Sequence, residues 1–209
     1  MKAVTLFSGG KDSFLSTMIA MEHGYDILYG ITIIPDEYSM MFHYPNSGMA
    51  KYPASLLNFE IKYIGEKTFD EYIKSINGVD AIITGAIASD YQKTRIERLV
   101  YNKKTIVFSP LWRKKQEYII EELLLRNIKA MIISVSAEGF GKDDLGKTIN
   151  YDYFNHLKEI YKKYRINIAG EGGEYESFVY GINKNEIDIK NKNIVWKNSG
   201  GYYHCLYIS

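Results

Sequence analysis

Two glycines followed by a lysine, an aspartate and a serine form the segment Ser8-Gly9-Gly10-Lys11-Asp12-Ser13. It stands directly behind the apolar run Ala3 to Phe7 and ahead of the amphipathic stretch Phe14 to His23. The order reads as strand, loop, helix. Glycines reach backbone angles closed to other residues, so amide N–H groups can crowd one anion, and the following helix points its positive end at the same place. Lys11 adds a mobile cation. The chemistry this suits is the binding of phosphate. The Walker A spacing is absent, because the lysine directly follows a Gly-Gly pair and an aspartate stands where that pattern has its hydroxyl residue. Asp12 is compatible with two roles, holding Mg2+ together with phosphate oxygens or capping the helix.

Two further segments could carry chemistry. Gly85 to Arg98, GAIASDYQKTRIER, begins just after the strand-like run Asp80 to Thr84. In a parallel α/β sheet, ligands sit at the carboxyl ends of strands, where this segment starts. Lys93 and Arg98 alone read as a solvated helix start. Arg95 is the stronger candidate, since its rigid fork suits phosphate or carboxylate. The other segment is Gly170-Glu171-Gly172-Gly173-Glu174-Tyr175-Glu176-Ser177, which leads into an apolar run at Phe178. Extended, it puts Glu174 and Glu176 on one face. Acids so dense repel unless cations pair with them. The partners open to them are Mg2+, a cationic substrate group, ammonium, or a structural Lys or Arg from elsewhere.

The elements that must position these residues follow from the apolar pattern. Runs at Ala3 to Phe7, Asp26 to Ile34, Ile61 to Ile64, Asp80 to Thr84 and Thr105 to Phe108 alternate with helical patterns at Asp12 to His23, Phe69 to Ile76 and Thr94 to Tyr101. Such alternation predicts an α/β unit with a doubly wound, five-stranded parallel sheet. Beyond Leu111 the pattern changes to a charged helix from about Arg113 to Arg126, a strand Ala130 to Ser136 and a helix Tyr151 to Tyr164. We therefore expect a nucleotide-binding domain over residues 1–112 and a smaller α+β, substrate-binding domain over residues 113–209.

Composition narrows the function classes. The 209 residues are 46% hydrophobic and 24% charged, as in ordinary globular chains. With 26 Lys+Arg against 25 Asp+Glu, there is no basic excess to prompt nucleic acid. Cys205 is the single cysteine, which forbids an intrachain disulfide and a cysteine metal cluster and fits a reducing compartment. The apolar run at Ala3 is too short for a signal-peptide core or a membrane span. These features point to a cytoplasmic protein without membrane partners, and a homodimer stays open.

The strand-SGGKDS-helix arrangement resembles the signature of the N-type ATP pyrophosphatases, which implies a HUP-like, Rossmann-like fold and cleavage of ATP between the α- and β-phosphates. Taken with Glu37 to His43 (EYSMMFH), GAIASDYQKTRIE, Pro110-Leu111-Trp112, Leu145-Gly146 and GEGGEYES, the chain resembles the diphthine–ammonia ligase family in the short form typical of archaea. The resemblance implies that ATP, with Mg2+, adenylates the carboxylate of diphthine on translation elongation factor 2. Ammonium then displaces AMP, leaving the amide. It implies catalytic roles for Lys11, Asp12 and Glu174, with Lys11 neutralising charge on the departing pyrophosphate. Nucleotide contacts are implied at Ser8, Gly9, Gly10, Lys11, Asp12, Ser13, Ile33 and Gly85. Substrate contacts are implied at His43, Ser89, Gln92, Arg95, Glu171, Glu174 and Glu176, and a metal contact at Asp12.

Relatives with other chemistry fit less well. Sulfur-transferring tRNA enzymes of the superfamily work through cysteines, and Cys205 stands alone four residues from the end. Glutamine-dependent amidotransferases add a glutaminase domain with a cysteine nucleophile, for which this chain has no room. Two alternatives stay open at this point: another AMP-forming enzyme, for instance in tRNA modification, and an ATP- or AMP-binding protein without chemistry.

Overall fold

A computed structural model describes residues 1–34, 46–197 and 200–208. The Glu37 to His43 stretch, with the candidate His43, lies outside the described residues. The chain divides into two compact units, Met1–Arg113 and Lys114–Ser209. Among the described residues no helix is long and apolar enough to cross a membrane.

The first unit is built on five strands, β1 (Lys2–Leu6), β2 (Asp26–Ile34), β3 (Ile61–Gly65), β4 (Ala81–Ile83) and β5 (Ile106–Phe108). All pair in parallel, in the order β3-β2-β1-β4-β5. Parallel neighbours need crossovers, and the helices α1 (Lys11–Glu22), α2 (Lys51–Ser55), α3 (Phe69–Ser75) and α4 (Asp90–Val100) supply them. Alternation along the central strands explains the two covered faces. Val4, Ile31 and Ile82 pack with Phe69 and Ile73 of α3 and Ile96 and Val100 of α4. Ala3, Ala81 and Ile83 point the other way and pack with Ala20 of α1 and with Tyr25. Each fully buried Ile or Phe here contributes about 1.5–3 kcal/mol. The small side chains of Ala3 and Ala81 leave room for α1 to lie close.

Helix ends obey local chemistry. Helix α1 stops at a C-cap His23, with Gly24 beyond it at φ +82° satisfying the last turn through its N–H to Met21 O, 2.9 Å. Helix α4 starts at Asp90, four residues before the predicted Thr94, because the Ser89 hydroxyl accepts the Gln92 N–H and caps it.

The second unit is an antiparallel sheet in the order β8-β7-β6-β10-β9, with β6 (Ile128–Val135), β7 (Tyr175–Ile182), β8 (Asn185–Glu186), β9 (Ile189–Lys197) and β10 (Gly200–Ile208). Two helices accompany it, α5 (Gln116–Leu125) and α6 (Tyr151–Tyr164). Helix α5 begins at Gln116 rather than Arg113, whose φ of +55° cannot continue a right-handed helix. Helix α6 has its predicted bounds, set by the Asn150 side chain accepting the Tyr153 N–H at one end and by left-handed Arg165 at the other.

Candidate active site

In the first unit, β1 lies between β2 and β4, so the crossovers leave it in opposite directions and open a crevice at the carboxyl ends of β1 and β4. The Ser8–Ser13 loop and the loop beginning at Gly85 meet there. A Cβ on Gly85 would stand 2.9 Å from Ser13 N and 3.0 Å from the Asp12 carbonyl carbon, so only glycine allows this approach. Gly9 turns the loop at φ +82° and rests on the segment before and within α2: its Cβ would meet Pro53 Cγ at 3.2 Å and Ala50 Cα at 3.3 Å.

Gly10 is the N-cap of α1 and no side chain caps that end, which leaves first-turn amides directed toward the crevice. Asp12 is therefore not spent on capping. The serines hold the loop itself in this structure. Ser8 N donates to Ser13 Oγ (3.2 Å), Gly10 N to Ser8 Oγ (3.3 Å), and Ser13 Oγ donates to Gly10 O (3.1 Å). Lys11, only 3% exposed, places its Nζ 2.7 Å from Asp12 Oδ2. The other carboxylate oxygen, Asp12 Oδ1, is buried and makes no hydrogen bond. A hard, orphaned carboxylate oxygen fits Mg2+ as one protein ligand beside phosphate and water oxygens. No cluster of three or more His, Cys, Asp or Glu side chains among the described residues could hold a metal alone. Ile33, near the end of β2, is half-buried.

Along α4 the candidates have different neighbours. Gln92 is exposed, and its backbone N–H is taken by the Ser89 cap. Arg95 grips a carboxylate of the chain itself, donating through Nε (2.9 Å) and a terminal nitrogen (2.7 Å) to Asp70 Oδ1 while lying over the Phe69 ring. It thereby lines a groove of about 510 Å³ with Asp70, Asp90, Tyr91, Thr94, Arg98 and Leu99, on the α3 and α4 side of the sheet.

In the second unit the GEGGEYES segment closes the loop between α6 and β7. Gly170 and Gly173 take φ of +73° and +80°. Glu174 Oε1 accepts the Asn167 N–H at 2.8 Å, while Glu174 Oε2 is buried without a hydrogen-bond partner. Gly172 lies against that carboxylate, where a Cβ would stand 2.8 Å from Oε1. Tyr175, 1% exposed, donates its hydroxyl to Ile168 O (2.8 Å), and its ring fills the space a Cβ on Gly170 would need. Gln116 Oε1 accepts the Ile168 N–H (2.7 Å), and Ser136 N donates to Glu174 O (2.9 Å). Glu171 and Glu176 are half-buried, Glu176 within β7 opposite Ser134. The loop is thus a rigid frame around one carboxylate with a free acceptor, suited to a small cation. Gln116 and Ser136 carry no local signal of partners so far along the chain, and Asn167, whose partner Glu174 is only 7 residues on, lies outside the glycine and glutamate pattern itself.

Away from this loop, Asp144 accepts from Gly141 N, the Tyr153 hydroxyl (3.0 Å) and His156 Nε2 (3.2 Å). Burial, then the adjacent Asp144 carboxylate, raises the Tyr153 pKa far above its ordinary value, so its hydroxyl stays a donor.

A doubly wound parallel sheet with an uncapped helix behind a glycine loop at its switch point defines an α/β nucleotide-binding protein. Residues 1–104 match the diphthamide synthase N-terminal domain and residues 115–207 the diphthamide synthase C-terminal domain. The chain is 30% identical to the diphthine–ammonia ligase of Homo sapiens and 29% to that of Mus musculus, in each case over all of this chain and 90% of the relative. It is 29% identical to the Schizosaccharomyces pombe enzyme over 96% of this chain but 38% of that longer protein. The chain belongs to the diphthine–ammonia ligase family. Among solved structures, one titled as a predicted subunit of tRNA methyltransferase from Methanocaldococcus jannaschii aligns with TM-score 0.50 and 19% identity, covering 88% of this chain and 98% of that one. It shares the fold.

Proposed function

We propose that this protein is a cytoplasmic diphthine–ammonia ligase that converts the carboxylate of diphthine on elongation factor 2 to an amide at the expense of ATP. An ionised carboxylate resists ammonia until one oxygen carries a good leaving group. In the first step a carboxylate oxygen attacks the α-phosphorus, the bond from that phosphorus to the bridging oxygen breaks, and pyrophosphate departs. In the second, ammonia attacks the acyl carbon, AMP leaves with the bonding pair, and the amine nitrogen sheds a proton.

The chain's residues divide these tasks. Ser8, Gly9, Gly10 and Ser13, with the first-turn amides of α1, hold the phosphates. Lys11 carries positive charge to the oxygens that become pyrophosphate, where it counts most because the site is shielded from water. Asp12 would hold Mg2+, whose chemistry there is neutralisation of the phosphate charge. Ile33 and Gly85 border the nucleotide. Ser89, Gln92, Arg95, Glu171 and Glu176, with His43, are assigned to the diphthine-bearing segment. Glu174 Oε2 receives ammonium, holds it by a charge-assisted hydrogen bond, and accepts its proton as ammonia is released.

The observation that carries this reading is the buried, unpartnered Asp12 Oδ1 beside an uncapped helix end in a chain of this family. The test supplies the full chain with ATP, Mg2+, isotopically labelled ammonium and elongation factor 2 bearing diphthine, and follows the factor by mass spectrometry. The label should enter the modified histidine only when ATP is present. Incorporation without ATP, or none from free ammonium, would sink the reading.

A further inference from the structure

The phosphate loop does not stand on its own strand and helix alone. Gly9 rests on Ala50 and Pro53, both buried, and these belong to the segment that leads into α2 and its first turn. Ala50, the N-cap of α2, offers no capping side chain. Tyr63 of β3 fills that role from a neighbouring strand. Its hydroxyl accepts the Lys51 N–H (3.2 Å) and donates to Gly48 O (2.8 Å), gripping the chain on both sides of Ala50. Tyr63 stands opposite Thr32 in the sheet, and the Thr32 hydroxyl donates to Phe7 O, the residue just before the loop. Two hydroxyls on paired strands thus anchor the loop from both sides, one through Phe7 and one through α2.

We infer that Tyr63 is a positioning residue for nucleotide binding: its hydroxyl fixes the start of α2, and α2 backs Gly9 so that the loop amides keep the spacing a phosphate requires. A five-residue helix cannot hold its own end, because nucleating a single turn costs more than its hydrogen bonds return. The external grip is what keeps Ala50 and Pro53 within 3.3 Å of the position a Cβ on Gly9 would take. Loss of the hydroxyl frees that wall and lets the loop sample conformations with its amides misaligned. This role depends on ATP being the ligand of the loop, as proposed above.

The test compares ATP binding, with Mg2+ present, by calorimetry on the full chain and on two single variants, together with their melting temperatures. Tyr63→Phe removes only the hydroxyl. Tyr29→Phe serves as control: the Tyr29 hydroxyl on β2 is directed to Tyr72, and its ring packs on the core that the sheet forms with α3 and α4. Tyr63→Phe should weaken ATP binding about fivefold, the equivalent of one neutral hydrogen bond. Tyr29→Phe should lower the melting temperature while leaving ATP affinity unchanged. Equal ATP affinity in Tyr63→Phe and the parent chain, or the same weakening in both variants, would overturn the role of Tyr63. Failure of the parent chain to bind ATP would instead remove the nucleotide reading on which that role rests.

Discussion

The Ser8–Ser13 loop and the Gly170–Ser177 loop use the same backbone device for opposite ends. Each turns on glycine at positive φ, Gly9 in the first and Gly170 and Gly173 in the second, and each runs into the start of a regular element, α1 in one case and β7 in the other. The first ends at an uncapped helix, so what it offers is donors: amides and the Lys11 ammonium. The second spends its donors internally, on Asn167 O, Gly170 O and Glu174 Oε1, and offers an acceptor, Glu174 Oε2. Glycine makes a close approach feasible. Which charge is approached depends on whether the element behind the loop leaves N–H groups or a carboxylate unsatisfied. A reaction that needs an anion held and a cation delivered calls for one of each.

That division of labour can be broken residue by residue. The largest effect belongs to Lys11→Met, which keeps an unbranched stem of similar length but removes the charge. AMP formation should fall about 10²–10³-fold, the usual loss for a group that stabilises developing charge, with the melting temperature shifting little. Glu174→Gln comes next. Amide formation should drop about ten- to a hundredfold, the worth of a hydrogen bond to a charged group, and most of the loss should be recovered by raising ammonium, with ATP affinity intact. A matching loss of ATP affinity in a binding titration would move Glu174 into the phosphate or metal shell. Gly85→Ala drives a methyl against the backbone of Ser13 and should weaken ATP binding about tenfold and lower stability by about 1–3 kcal/mol, as overpacking does. Denaturant melts and calorimetry read both. The smallest change is Gln116→Ala, which leaves Ile168 N–H without its acceptor. It should cost about 1 kcal/mol of stability and raise the half-saturating ammonium concentration severalfold while leaving ATP affinity alone. An equal effect on both ligands would erase the distinction between the two loops.

The two loops also differ in how far they could be read ahead of the structure. The first is contiguous in sequence and sits between a strand and a helix whose apolar patterns are strong, so its place and its suitability for phosphate follow from spacing, while the AMP-forming chemistry is what the family resemblance implies. The parallel sheet is legible for the same reason, since its strands are buried on both faces. Strands β8, β9 and β10 carry no such signal. Ile189–Lys197 mixes apolar residues with Lys and Asn, as an edge strand does, and so lacks a continuous apolar run. Helix α2 was invisible because five residues carry no period and one of them is Pro53. The acidic segment was visible, but its frame was not. Gln116 lies 52 residues from Ile168, and Ser136 is 37 from Gly173. Arg95 has a partner that its residue type alone could not name, the Asp70 carboxylate 25 residues away. Side chains announce what they can bind, and the fold decides whether the chain itself has already supplied it.

The central claim is that the first loop activates by adenylation. The most direct measurement follows the fate of α-labelled ATP incubated with the protein, ammonium and elongation factor 2 carrying diphthine. AMP should accumulate in step with amide, and only when the diphthine-bearing factor is present. ADP as the labelled product would contradict the account, because it would place bond cleavage between the β- and γ-phosphates and leave no adenylate for ammonia to attack.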